Sequence, residues 1–160
     1  MSHVRMGDNG EEVFSPLPAQ ASDDLIIALE PGEGLRALSL LKPRGVLVTA
    51  ASGVAPVVSS FKAAPYNPED MIAQLQASGA QVVVVDDTAL CEELGSRKAL
   101  NILMLARALS AVNNPAYDNA LCGKITLDDM RAIIPICVKE RFVPLNLRAI
   151  NLAEQSTLLN

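Results

Sequence analysis

The chain has 160 residues, enough for one ordinary domain built round a single core. Half of its residues are apolar and 19% are charged, which excludes the disordered class, poor in apolar and rich in charged residues. A formal charge of -5 with no basic run excludes a phosphate-backbone grip on nucleic acid, and 3% aromatics exclude a stacking platform for single strands.

In chain order, Val4-Arg5-Met6 and Val13-Phe14 flank Gly7-Asp8-Asn9-Gly10, and Asn-Gly between short β-prone runs predicts an N-terminal β-hairpin. Leu25 to Leu29 is continuously apolar, as in a parallel strand covered on both faces. Pro31 suits a first helical turn, and Leu35, Ala37, Leu38 and Leu41 make a helical stripe that stops at Lys42-Pro43-Arg44-Gly45. Val46 to Thr49 is the next buried strand. Residues 50–67 have no usable period and contain Pro56 and Pro65, so they read as a long loop of the functional or partner-bound kind. A helix from Pro68 to Ser78 carries Glu69 and Asp70 in its first turn, where the macrodipole favours acids.

Val82 to Val85 is a third buried strand, and Asp86-Asp87-Thr88 caps a short helix that reaches Leu94. From Arg97 to Val112 the pattern is apolar almost all round, which predicts a central helix, stopped by Asn113-Asn114-Pro115. Two further helices run from Thr126 to near Pro135 and from Asn146 to Ala153. Strands alternating with helices predict the α/β class, with three layers: a mostly parallel sheet with helices on both faces, plus the N-terminal β-hairpin. The whole of 1–160 reads as one domain.

Cys91, Cys122 and Cys137 are widely spaced and the chain has one His, a set that builds neither an iron–sulfur cluster nor a zinc site unaided. With His3 alone there is no Ser–His–Asp or Cys–His set. Gly32-Glu33-Gly34-Leu35-Arg36-Ala37 follows a strand and fits the dinucleotide fingerprint, which leaves a stand-alone dinucleotide-binding module open. Against it, Glu30 and Glu33 would stand beside the pyrophosphate, and the next strand ends at Thr49-Ala50 with no acid for a ribose. Asp86 and Asp87 at a strand's C-terminal end suit either Mg²⁺ or a helix cap, and Asn101 and Arg107 are out of place in an apolar helix. No signal peptide opens the chain, and the apolar stretch from Ala99 to Val112 falls short of the roughly 20 residues a bilayer needs, so a cytoplasmic protein is expected.

Ser2-His3-Val4-Arg5-Met6-Gly7, Ser15-Pro16, the run Asp24 to Pro31, Gly34-Leu35-Arg36 and Leu41-Lys42-Pro43 together resemble the gamma-type domain of 2-oxoacid:ferredoxin oxidoreductases. The resemblance continues through Asp86-x-Thr88-x-Leu90, Glu93-Leu94-Gly95, Asn101-Ile102-x-Met104-Leu105 and Asn146-Leu147-x-Ala149, and is nearest to the small beta subunits of indolepyruvate ferredoxin oxidoreductases. It implies a larger partner subunit carrying thiamine diphosphate, Mg and iron–sulfur clusters. Coenzyme A would be the co-substrate, ferredoxin the electron acceptor, and an acyl-CoA and carbon dioxide the products. Indolepyruvate, pyruvate and 2-oxoglutarate all stay open as substrates.

In that resemblance no residue here is itself catalytic, and the chain alone binds no cofactor. Arg5, Glu30 and Asn101 are the candidates that face the partner's active-site cleft. Gly32 and Gly34 look incidental, because the family turns at this point without them. The family also opens with a strand, a Gly-Gly-x-Gly turn and a helix that are missing here. The chain is then a piece of a longer protein or a shortened relative, with exposed apolar edges and oligomerisation as the expectation. A structural interaction domain is the remaining alternative.

Overall fold

A computed structural model describes residues 1–7, 10–15, 17–53, 66–117 and 119–156. Its described strands form one parallel sheet in the order β1 (Asp23–Ala28), β2 (Leu41–Ala50), β3 (Gln81–Val85). Parallel neighbours need crossovers, and α1 (Pro31–Ala37) and α2 (Pro68–Ala77) supply them. The α/β class is as expected.

β2 lies in the middle, and Val46, Leu47, Val48 and Ala50 are wholly buried because both of its faces are covered. Leu47 points to one side, into a small core with Ile26 of β1, Ala37 of α1, Leu41 at the start of β2 and Leu75 of α2. Val46, Val48 and Ala50 point to the other, where α4 (Leu100–Val112) crosses the sheet and buries Leu103, Met104 and Leu109. Beyond α4 lie α3 (Asp87–Leu94), α5 (Leu127–Cys137) and α6 (Val143–Gln155), sharing the same larger core through Leu94, Ile134 and Ile150. The continuous apolar runs of the sequence are therefore read correctly as strands covered on both faces.

β2 starts five residues before the expected Val46. Asp23 pairs with Leu41 and Leu25 with Val46, so Lys42 to Gly45 bulge out of the ladder opposite the single residue Asp24. Arg44 takes a left-handed conformation there, with φ 71°. The helix expected to stop near Pro135 continues to Cys137; a proline in the last turn removes one backbone bond, to the carbonyl four residues back, and little else follows it. α6 begins at Val143, three residues earlier than the Asn146 start expected from the sequence.

The N-terminal β-hairpin is a correction. Residues 4–6 and 13–14 are not strands. The chain does fold back, since a Cβ on Gly7 would collide with the Glu11 carbonyl and Arg5 Nη1 donates to the Ser15 carbonyl at 2.7 Å. Val4 and Phe14 are more than four-fifths exposed, so this turn has no apolar surface to lie on and no reason to form a ladder.

Candidate functional site

All three strands run the same way, so the turns after them meet at one edge of the sheet, and open α/β sheets bind ligands at that edge. Glu30 follows β1, Ser52 follows β2, and Asp86 and Asp87 follow β3. The two aspartates diverge. Asp86 caps α3, its Oδ1 accepting from the Ala89 amide at 2.9 Å. Asp87 turns inward and is fully buried, accepting from the Ser52 amide at 2.9 Å, from Ser52 Oγ at 2.6 Å and from Arg97 Nη2 at 2.9 Å. Each carboxylate is already engaged, so the pair does not form the shared Mg²⁺ seat that the sequence left open.

A buried carboxylate with three donors is a joint. It ties the turn after β2 to the 3-10 turn Arg97–Ala99 that opens into α4, across 35 and 10 positions of sequence. The Arg97 side chain stays 55% exposed, so one side of its guanidinium meets solvent while the other is held by a charge that has no other way to be neutralised.

Tyr66 closes the same edge. Its ring packs at 3.3 Å from where a Cβ on Gly32 would stand, and a Cβ on Gly53 would lie 2.6 Å from its hydroxyl. Burial above all pushes the phenol pKa up, the Gly32 backbone works against this, and the Glu30 carboxylate adds to it. Gly34 brings α1 close to the sheet, with Leu75, Ala28 and Leu47 within 3.5 Å of its missing Cβ. Gly32 and Gly34 are thus packing residues and not incidental ones. The tyrosine ring fills the approach to α1 that a dinucleotide's pyrophosphate would need, and Arg36 pairs with Glu33 and lies 3.7 Å from Glu30.

The three candidates do not form one cluster. Glu30 is half-buried at the edge, beside Tyr66 and Arg36. Arg5 is exposed on the N-terminal turn. Asn101 is exposed on the first turn of α4 and lines an open groove of about 250 Å³ with Lys98, Ile102, Phe142, Leu145 and Asn146. Arg107, its companion in the apolar pattern, is buried and donates to the Ala153 and Ser156 carbonyls at 2.8 and 2.5 Å, closing the end of α6. Ser52, Tyr66 and Arg97 were not singled out by the sequence, and Gly32, against which the Tyr66 ring packs, was read there as incidental. Residues 54–65, most of the expected long loop, lie outside the described residues.

Cys91 is buried, and Cys122 and Cys137 are exposed on separate elements. Among the described residues no three His, Cys, Asp or Glu side chains are grouped to hold a metal ion. The donors present do not fit an iron–sulfur cluster. No described helix is long and apolar enough to cross a membrane.

Residues 1–156 match the family described as pyruvate ferredoxin/flavodoxin oxidoreductase. The chain belongs to the pyruvate ferredoxin/flavodoxin oxidoreductase family. Within it, the indolepyruvate oxidoreductase subunit IorB of Thermococcus kodakarensis is 26% identical over 154 residues, 95% of this chain and 70% of that protein. The subunit of the same name from Archaeoglobus fulgidus is 26% identical over 152 residues, 94% of this chain and 69% of its own length. Among solved structures, the gamma subunit of a keto/oxoacid ferredoxin oxidoreductase from Geobacter sulfurreducens is similar in fold, with a TM-score of 0.53 at 18% identity over 82% of this chain. This family member spans 62% of that subunit's length.

Proposed function

We propose that the chain is the small subunit of a 2-oxoacid:ferredoxin oxidoreductase that converts an arylpyruvate such as indolepyruvate, with coenzyme A, to an acyl-CoA and carbon dioxide. The observation that carries this reading is the family match over residues 1–156, and the choice of an arylpyruvate is supported by two relatives named as indolepyruvate oxidoreductase subunits. Thiamine diphosphate, Mg and the iron–sulfur clusters belong to a larger partner subunit in the cytoplasm, which passes electrons to ferredoxin. Thiamine diphosphate, bound by that partner, would supply the electron sink that decarboxylation of a 2-oxoacid needs.

The contribution of this chain is to enclose that site. Glu30, Arg5 and Asn101 face the partner's cleft, with Arg5 suited to a carboxylate or phosphate and Asn101 to a polar group that needs orienting. The sheet edge carrying Glu30 is held rigid by the Asp87 joint and the seated Tyr66. Rigid support of this kind is what a site assembled from two subunits requires.

The test is turnover. The chain co-purified with its larger subunit should reduce ferredoxin with indolepyruvate and coenzyme A, faster than with pyruvate or 2-oxoglutarate, while the chain alone should be inactive. Arg5→Ala or Asn101→Ala should lower the rate of the intact complex. Preference for pyruvate or 2-oxoglutarate would overturn the arylpyruvate assignment, and unchanged rates in both variants would remove these residues from the cleft.

A further inference from the structure

α4 is the central helix, yet one stripe of it lies open. Lys98, Asn101, Ile102 and Leu105 follow one another at helical spacing from the 3-10 turn into α4, and Leu105 stands 37% exposed while Leu103, Met104 and Ala106 beside it are buried. One turn before Leu105, Ile102 lines the open groove of about 250 Å³, whose other apolar lining is Val138, Phe142 and Leu145, all half-buried. An apolar strip on a core helix, leading into an apolar groove, is surface that gains by being covered.

The rim is basic in an acidic chain. Residues 97–160 hold eight of the 13 Lys and Arg but only five of the 18 Asp and Glu, so the charge of -5 is carried by the other end of the sequence. Lys98 lines the groove, and the exposed Lys139 and Arg141, with Glu140 between them, belong to the turn that joins Val138 to Phe142. The Arg141 guanidinium lies 4.7 Å over the Phe142 ring, a cation–π contact that holds its flat fork beside the groove wall. Among the described residues none of these three cations is in an ion pair.

We propose that this groove is the seat of an acidic segment of the larger subunit, in which one bulky apolar side chain fills the space between Ile102, Phe142 and Leu145 and flanking carboxylates meet Lys98 and Arg141. The proposal rests on the subunit reading above, in which Asn101 faces the partner: Asn101 stands between Lys98 and Ile102, so a body that reaches it covers the groove as well. A space of about 250 Å³, below the roughly 300–1,000 Å³ of small-molecule sites, suits an anchoring side chain. Aromatic and arginine side chains carry much of the binding energy at interfaces, and arginine pairs with carboxylate through two parallel bonds. A second copy of the chain is disfavoured, because two bodies of charge -5 repel at long range.

The experiment is hydrogen exchange of the full chain, alone and in complex with the larger oxidoreductase subunit from the same source, together with the affinity of a charge-reversed variant. Amides of 98–105 and 138–146 should exchange more slowly in the complex. Lys98→Glu combined with Arg141→Glu should weaken association about tenfold, with the loss shrinking as salt rises. Both side chains are exposed, so their reversal leaves the core intact, and exchange is read on the unaltered protein. A complex that leaves exchange unchanged over both stretches, or that binds the variant equally well at low salt, would overturn the proposal and leave the subunit assignment standing. So would the same protection in the chain alone at high concentration, which would make a second copy the occupant. Failure of the two chains to associate at all would end the subunit assignment and this seat with it.

Discussion

Asp86 and Asp87 are neighbours of the same type, and their consequences for stability are different. Asp86 contributes one cap bond to the Ala89 amide, and Asp86→Ala should cost about 1 kcal/mol. Asp87→Ala strips partners from the Ser52 amide and hydroxyl and from Arg97 at a fully buried position, for a loss of about 2–3 kcal/mol. The figure stays at the lower end for a broken buried pair because the Arg97 guanidinium, half-exposed, can turn to water. Urea unfolding of the two variants measures the difference, and equal losses would mean that Asp87 is only a second cap. Nothing local in the sequence separates the two residues: the distinction lies in Ser52 and Arg97, which the chain brings to them from opposite directions.

At the scale of elements, glycines set how closely α1 and the turn after β2 approach their neighbours. Gly34→Ala meets the end of the Leu75 side chain at 3.3 Å, which can move aside, and the gain in helix propensity offsets the crowding, so the net change should stay within about 1 kcal/mol. Gly53→Ala is tighter, because its Cβ would stand against the edge of the Tyr66 ring and 2.6 Å from its hydroxyl, and it should displace the tyrosine. The readout is the alkaline absorbance change of the chain's two tyrosines. Tyr66 has its pKa raised on folding, so the neutral phenol is favoured: its contribution to stability is complete below the ordinary tyrosine pKa and is lost as pH rises through the raised value. Tyr66 of the unaltered protein should therefore ionise late, Gly53→Ala should bring that transition to lower pH, and an unchanged late transition in that variant would contradict the packing described.

The elements differ in how readable they were. β1, β2 and β3 were legible because strands buried on both faces leave unbroken apolar runs, and α4 because a central helix is apolar nearly all round. The bulge at Lys42 to Gly45 was not, since it depends on pairing with β1 and not on its own pattern. Asn9-Gly10 favoured a hairpin locally, but Val4 and Phe14 are left in solvent, and a two-stranded ribbon without a face to cover is not stable. Of the candidate site residues, Glu30 stands just after β1 at the sheet edge, where the apolar run before it ends, and its facing a partner belongs to the proposal above. Tyr66 and Arg97 belong to the same edge but enter it from a helix approach and a 3-10 turn, which no periodicity marks.

For the whole molecule, two features bear on assembly. Met1, Val4, Met6, Phe14 and Leu17 are exposed, and none of the described residues before Ser22 lies in a helix or strand, while the family match includes that segment from residue 1. The cysteines are dispersed, so chemistry that needs a cluster needs another chain. The proposed function makes activity a property of a complex. The direct measurement is mass and metal content after co-expression with the larger oxidoreductase subunit from the same source. The account predicts one brown species in which the two chains co-elute in fixed ratio, with iron and thiamine diphosphate staying with the larger chain when the complex is separated. Colourless, separately eluting chains, or iron and thiamine diphosphate bound stoichiometrically by this chain alone, would contradict it.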